Sequence, residues 1–529
     1  RHTRRQTHKT PDTQDARHRC LPPALQRKIP SMNRLVFGAF IFLCLLPSVF
    51  SQETAGVSEP SVGKAVFRTP LSEVGQSGVC VSGDRLFLMV HKKLEGPLEG
   101  GFYFNGDIVG QCFDKQSGKL LWEVGLPGSF AGKVLESWND STSLTPVANN
   151  EFVVFHNVNG MLGCYTHDGK LVWKRSWQAP DPDIKNCRMF LYNDSLIVAF
   201  PSTEIAVQAS EQHPALPFYQ LHCLELSSGE ERWVSKVRLH HATQYSMDES
   251  HEQKVIVASM VDLSHWKFGQ GRYGYLLDPN DGSVLRKFKL PPTNPHQKNQ
   301  LCDGHYLVTS STGSKATVFQ LVNPKDGSIR RNYRIEQPDQ YYAWKGAKYE
   351  VTEFEALFTL DRTLGGKGQP TPSTVHVVGK RIYFWRYDTS AIGCVEVDTG
   401  KTTMIQAPLQ VRADGTAWAM DEFKFTNGIQ NASGKAVNMR VGSVRGIQRG
   451  GFGHTNPAWP TLYDEKLYWV NGAGVLYIID TTKPLSPDSF HWKSIFPLGN
   501  SWTFGPIAIG SEAIYIRSQR ELIRIDHPL

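Results

Sequence analysis

The sequence predicts an all-β fold, an eight-bladed β-propeller of four-stranded antiparallel blades whose ring is closed by an N-terminal strand completing the last blade. Three observations predict it. The stretch Cys112-Phe113-Asp114-Lys115-Gln116-Ser117-Gly118-Lys119-Leu120-Leu121-Trp122 reads as a β-hairpin with a tight Ser-Gly turn, and it returns as Cys164 to Trp173 and as Cys223 to Trp233. Further copies turn at Gly282, Gly327 and Gly400, which sets a period of about 50 residues. A second hairpin type precedes each copy, and eight of these can be followed to the end of the chain.

Taken in order, the second hairpin supplies strands A and B. It runs through Val79-Cys80-Val81, a Ser82-Gly83-Asp84 turn and Arg85 to Val90, and returns at Thr145–Phe155, Met189–Val198, Val375–Phe384, Pro460–Trp469 and Pro506–Ile516. Weaker copies lie at Tyr245–Ser259 and Leu301–Thr309. The opening unit supplies strands C and D. A four-stranded sheet of this kind has two apolar faces that only neighbouring sheets can cover, which is why the repeat implies a ring. The eighth unit stops at Leu529 after strand C, while Lys64–Thr69 near the amino end reads as a strand D with no strand C before it. Pairing the two closes the ring and removes its open edges.

The chain before the propeller reads differently. Residues 1–31 are rich in Arg, His, Pro and Gln without apolar periodicity and are expected to be an over-extended gene start with no folded role. Residues 32–51 have the basic start, apolar run and small terminal residue of a signal peptide, with cleavage expected before Gln52. The apolar run of about 16 residues is short for a membrane span, so the membrane is met only transiently, and Leu43 before Cys44 argues against a lipoprotein signal. The mature protein is expected to be secreted or periplasmic and monomeric, a single propeller over residues 62–529.

Charge narrows the partners. The chain carries 57 basic and 50 acidic residues, a formal net of +7. Nine of the basic and two of the acidic residues precede Gln52, which leaves 48 of each and no net charge in the propeller. Nucleic acid is therefore not an expected partner. Of the nine cysteines, Cys112, Cys164, Cys223 and Cys394 occupy one slot of the repeat, and Cys80, Cys187 and Cys302 start the preceding runs. That recurrence reads as small apolar core residues rather than disulfides or ligands, and no Cys-x-x-Cys pair occurs.

Extra length gathers on one face of the ring. The B–C connections His91–Asn105, Pro201–Tyr219 and Asp262–Arg272 and the D–A connections Leu126–Leu144, Gln337–Pro372 and Pro408–Asn456 are long, whereas A–B and C–D turns are tight. Loops longer than about 12–15 residues without strands of their own are usually functional or disordered, so binding is expected on that loop face, with the major insertions at 337–372 and 408–456. Within them, Arg440, Arg445 and Arg449 near Gly450–His454 offer an anionic-ligand or glycan contact, but a solvated cap loop is the expectation for them. Gly365-Gly366-Lys367-Gly368 lacks the strand and helix of a phosphate loop. Adjacent His240 and His241 point to opposite sides of an extended segment, and His265-Trp266 stands alone. Asp114, Glu225, Asp278, Asn323 and Glu396 each stand four before a turn Gly, and recurrence marks them as turn acceptors. No catalytic, cofactor or metal residue is assigned.

The pattern of an acidic residue, a Ser/Thr/Asp-Gly turn and a Trp four later, as in Asp114, Gly118 and Trp122, resembles the repeat of the pyrroloquinoline-quinone-like eight-bladed propellers. In that family the Trp docks between blades. Trp122, Trp173 and Trp233 keep it, while Arg286, Arg331 and Met404 replace it. The resemblance implies either a non-catalytic binding scaffold for a protein or glycan partner at the loop face, as in the outer-membrane barrel-assembly propeller lipoprotein, or a quinone-dependent oxidoreductase acting on alcohols or sugars. The alcohol dehydrogenases of the family have adjacent cysteines beneath the quinone and a calcium-ligand set; no Cys-Cys pair occurs here and the ligand set finds no match. The scaffold without cofactor is the expectation, with PQQ and calcium only under the alternative.

Overall fold

The computed structural model describes residues 65–95, 105–129, 141–142, 144–179, 189–205, 217–239, 245–248, 254–261, 272–291, 299–311, 317–346, 348–354, 375–386, 391–408, 459–471, 474–494, 505–518 and 520–527. They lie in the compact unit Val57–Leu529 and contain strands and turns. The leader and signal-peptide expectations for residues 1–51 lie outside the described residues.

Eight sheets carry the described strands, each built outward by antiparallel neighbours in the order A, B, C, D. Blade one is Cys80–Ser82, Arg85–His91, Ile108–Asp114 and Leu120–Leu126. Blades two to five run from Val147–Ala148 to Leu171–Ser176, from Phe190–Tyr192 to Glu231–Leu239, from Ser246–Asp248 to Val284–Leu290, and from Leu301–Cys302 to Ile329–Arg334. Blade six runs from Val375–Val378 to Thr402–Gln406 and blade seven from Thr461–Tyr463 to Phe490–Ser494. Blade eight is Ala508–Ile509, Ala513–Arg517 and Glu521–Asp526, and its fourth strand is Ala65–Pro70.

Burial follows from position in the blade. Strand B is covered on both faces by adjacent blades, so Leu86-Phe87-Leu88-Met89-Val90 is a continuous apolar run and every member is fully buried. Each such side chain contributes about 1.5–3 kcal/mol of hydrophobic stabilisation. Strand D has solvent on its outer side and alternates instead, as in Leu120–Leu126. The core thus lies between sheets: Phe87 and Trp122 of blade one meet Phe155 of blade two, with ring centroids 6.3 and 6.1 Å away.

The expected closure is present. Ala65–Pro70 pairs antiparallel with Glu521–Asp526, with Thr69 opposite Leu522. Across the seam to blade one, the Thr69 hydroxyl donates to the Gly118 carbonyl at 2.8 Å, and an Arg524 guanidinium NH donates to Gln116 Oε1 at 2.6 Å.

One expectation needs correction. Gln337–Pro372 was expected as a loop without strands, but it begins with a hairpin, Gln340–Trp344 and Tyr349–Thr352, which turns at Lys345-Gly346. Gln340–Trp344 pairs parallel with strand D of blade six, Thr402–Gln406, and makes that sheet six-stranded. The covered strand D is buried where others are exposed, and Met404 is completely enclosed. Blade six lacks the register shift that sets Trp opposite the slot Cys in blades one to three, so Cys394 faces Thr403 and Met404 turns to the blade five side, while the inserted hairpin, with Tyr349 against Phe490 at 6.1 Å, supplies the contact to blade seven.

Candidate functional site

The repeated Cys, Asp and Trp are used by the blades themselves. Trp122 Nε1 donates to the His167 carbonyl at 2.8 Å, Trp173 Nε1 to the Leu226 carbonyl at 2.7 Å, and Trp233 Nε1 to the Pro279 carbonyl at 3.2 Å. Each Trp caps the C–D turn of the next blade, and the turn Gly leaves it room: a side chain on Gly169, Gly229 or Gly282 would start 2.9, 2.6 or 2.5 Å from the ring. Arg331 replaces Trp in blade five and donates to the Val397 and Asp398 carbonyls, both at 2.7 Å, so a different donor caps the turn at Gly400. At the seam Phe67 covers Gly118 in the same way.

The turn acceptors are also accounted for. Asp114 Oδ1 accepts from Ser117 N at 2.8 Å and Ser117 Oγ at 2.6 Å, bonds that hold its carboxyl below the usual range. Asp278 Oδ1 accepts from Asn280 N at 2.8 Å, Asn323 Oδ1 from Lys325 N at 2.9 Å, and Glu396 Oε2 from Thr399 Oγ1 at 3.3 Å. The Glu225 carbonyl accepts from Gly229 N. The slot cysteines Cys112, Cys164, Cys223 and Cys394 are buried free thiols, as is Cys302, and burial pushes Cys112, Cys164, Cys302 and Cys394 up to about 12. Neutral thiols of this kind are neither nucleophiles nor metal ligands.

A set of residues that the repeat pattern did not single out lies where strand B reaches the loop face. There the apolar run ends in buried polar side chains: His91, His156 and Asn157, Arg386, Asn471 and Arg517. Asn157 Nδ2 donates to the Gly106 and Leu126 carbonyls, both at 3.0 Å. Arg386 donates to the Ile335 carbonyl at 2.7 Å and the Glu336 carbonyl at 2.5 Å. Asn471 Nδ2 donates to the Tyr477 hydroxyl at 2.8 Å, which donates to the Pro408 carbonyl at 2.6 Å. Arg517 donates to the Ser77 carbonyl at 3.2 Å. The Asn and Arg side chains thus satisfy main-chain carbonyls of the connecting segments, Asn471 through Tyr477, and so anchor their roots. His156 packs against Trp177, and burial lowers its pKa to about 3, so it is a neutral ring at physiological pH. The signal in the sequence is a polar residue closing the apolar run in blades one, two, six, seven and eight, weak because the residue type changes from blade to blade.

A cleft of about 580 Å³ lies between blades six and seven at the tight turns, away from the long loops. It is lined by Lys380, Arg381, Glu396, Asp398, Glu465 and Thr481 among others. Lys380 pairs with Asp398 at 3.1 Å within blade six, and Arg381 crosses the joint, donating to the Thr481 carbonyl at 2.5 Å and the Lys483 carbonyl at 2.9 Å of blade seven. His240-His241, His265-Trp266, Gly365–Gly368, Arg440, Arg445, Arg449, Gly450–His454 and Cys187 lie outside the described residues. Among the described residues no three His, Cys, Asp or Glu side chains converge.

The blade repeat, with its turn Gly, acceptor and docking Trp, matches over residues 62–333 the family model described as outer membrane protein assembly factor BamB. The chain belongs to the BamB family. BamB from Moraxella catarrhalis is a similar solved structure, 11% identical, covering 72% of this chain and 96% of its own, with a TM-score of 0.35. Sqt1 of Saccharomyces cerevisiae is 7% identical and covers 89% of this chain and 100% of its own, with a TM-score of 0.44. A europium-containing methanol dehydrogenase is 8% identical and covers 86% of this chain and 84% of its own, with a TM-score of 0.45. No curated protein matches the chain. The BamB-family match ends within blade five, where the joint Trp has already given way to Arg286 and Arg331.

Proposed function

We propose that the chain is a non-catalytic binding scaffold of the extracytoplasmic space, an assembly factor in the sense of its family's description, which binds a protein partner through the long connections of the loop face. The observation that carries this reading is membership of the BamB family over residues 62–333. The arrangement of the blades supports it: the residues whose chemistry is conspicuous in the repeat act in turns, joints and core, and the buried polar ends of strand B tie down loop roots. A rigid ring presenting anchored loops is suited to recognition.

The test is a calorimetric titration of the purified full chain with pyrroloquinoline quinone and calcium, beside a dye-linked assay with alcohols and sugars. The scaffold reading expects no saturable quinone binding and no dye reduction, together with recovery of a specific cell-envelope protein on cross-linking in the native host. Tight stoichiometric quinone binding with substrate-dependent dye reduction would replace it with the oxidoreductase. Mass spectrometry of the exported protein is expected to find a mature end at Gln52, and a cytoplasmic chain retaining residues 32–51 would sink the extracytoplasmic placement.

A further inference from the structure

The outer wall of blades four and five concentrates charge that the propeller as a whole balances. Strand Val284–Leu290 carries Arg286, Lys287 and Lys289, and strand Ile329–Arg334 carries Arg330, Arg331 and Arg334; all six are exposed and neither strand contains an acidic residue. The two strands are neighbours in the ring, since a side chain on Gly327 of blade five would start 2.9 Å from the Lys289 carbonyl. Four of the cations are engaged: Arg330 with Asp303 at 3.0 Å, Arg331 in the joint to blade six, Lys287 over the Tyr273 ring at 4.5 Å, and Arg286 with the adjacent Leu285 carbonyl at 2.9 Å. Lys289 and Arg334 have no ion-pair partner among the described residues.

Beyond Asp303, the carboxylates Asp281 and Asp326 of the adjacent turns make local hydrogen bonds. Asp281 Oδ1 accepts from Ser283 N at 2.8 Å, and Asp326 Oδ1 accepts from Ser328 N at 2.8 Å and Ser328 Oγ at 2.6 Å, which fixes both in the tight turns. Two further properties belong to the same strands. Each is the terminal strand of its four-stranded sheet, so one side of its backbone has no strand partner among the described residues. Each also starts with an exposed aliphatic residue, Val284 at 45% and Ile329 at 44%.

We propose that this wall receives an acidic, extended segment of a protein partner, which adds as a strand to the edge Val284–Leu290 and sets its carboxylates against the cations, with Arg334 extending the positive surface. Unpaired edge groups are satisfied by another main chain, which a lipid headgroup or a polyphosphate does not offer, and an alternating acidic and aliphatic segment matches both the charges and Val284. The inference rests on the scaffold reading and gives the partner a chemical class.

The experiment uses the full chain and a fluorescein-labelled peptide of about ten residues alternating Glu with Val and Thr; a Lys-for-Glu peptide is the control. Anisotropy is read at about 0.05 M and 0.5 M salt. Saturable binding of the acidic peptide alone is expected, weakened about tenfold or more by high salt and by the double variant Lys289→Glu/Arg334→Glu. Lys119→Glu/Lys401→Glu, on other blades, is expected to leave binding unchanged, and an unaltered unfolding midpoint certifies each fold. Binding indifferent to the wall reversals overturns the proposal. So does absence of saturable binding, which leaves the cations as protection of an open edge, and so does binding of phosphatidylglycerol vesicles in place of the peptide, which assigns the wall to a membrane. The quinone titration separates the two levels: failure here without quinone binding removes this wall and leaves the scaffold standing.

Discussion

Gly229→Ala tests the joint between blades two and three. Gly229 has φ +74°, and a Cβ there would start 2.6 Å from Trp173 Cδ2. The left-handed backbone costs an L-residue about 1–2 kcal/mol. Making room also displaces the indole, whose Nε1 donates at 2.7 Å to the Leu226 carbonyl, an interaction worth about 1 kcal/mol net. The same carbonyl faces Cys164 Sγ at 3.5 Å, so the displacement reaches the core slot. The expected total is about 3 kcal/mol, read as the shift in urea-unfolding midpoint at constant slope. Gly83→Ala is the internal control: φ is +58° and nothing lies within 4 Å of the added Cβ, so only the backbone cost of about 1 kcal/mol remains. In the Trp173→Ala background, Gly229→Ala is expected to cost about as little as Gly83→Ala, a coupling of at least about 1 kcal/mol. Equal costs at Gly229 and Gly83 in the wild-type background, or strict additivity with Trp173→Ala, would refute the reasoning.

Three other outcomes are expected. Removing residues through Pro70 opens the seam and is expected to abolish the single cooperative unfolding transition, while Phe67→Ala, which uncovers Gly118, costs about 2 kcal/mol in the same assay; an unchanged midpoint for the truncation would show that the seam contributes nothing. The buried thiols make stability alkali-sensitive: Cys112, Cys164, Cys302 and Cys394 are pushed from 9.0 to about 12, so the folded chain keeps protons that the unfolded chain releases. Stability from this source is intact below about pH 8.5 and falls as pH rises toward 12, with iodoacetamide labelling at pH 8 slow until urea is added; rapid native labelling of Cys112 or Cys164 contradicts it. Tyr349→Phe removes the donor to the Gln406 carbonyl at 3.0 Å and is expected to cost about 1 kcal/mol, with hydrogen exchange rising over Thr402–Gln406; exchange unchanged there means that the hairpin does not protect strand D.

Repetition decided what could be read in advance. Cys112, Asp114 and Trp122 together suggest a reactive motif, but comparison with Cys164–Trp173 and Cys223–Trp233 assigns each to a structural duty, and the contacts agree. The strand D without its strand C at the amino end was legible because the last blade lacked one. The hairpin Gln340–Thr352 was not, because Tyr341 and Ala343 alternate over one short strand with no copy elsewhere to give the pattern weight. The loop-root residues share a position but not a chemistry, since asparagine and arginine satisfy carbonyls there while His156 packs as a neutral ring. The basic wall was hidden by arithmetic: a zero sum over the propeller says nothing of how charge divides among blades.

The seam also orders events in time. Arg68 and Glu521, 453 positions apart, meet in a 3.1 Å ion pair, so strand Ala65–Pro70 has no partner until the seven intervening blades have been made. Contacts of such separation form slowly, and until then both the amino-terminal strand and the unfinished last blade expose edges that could pair with other chains. Seven blades can assemble through local hairpins, but the ring is locked only when Ala65–Pro70 pairs with Glu521–Asp526, which makes the interval before that pairing the point of greatest exposure to aggregation.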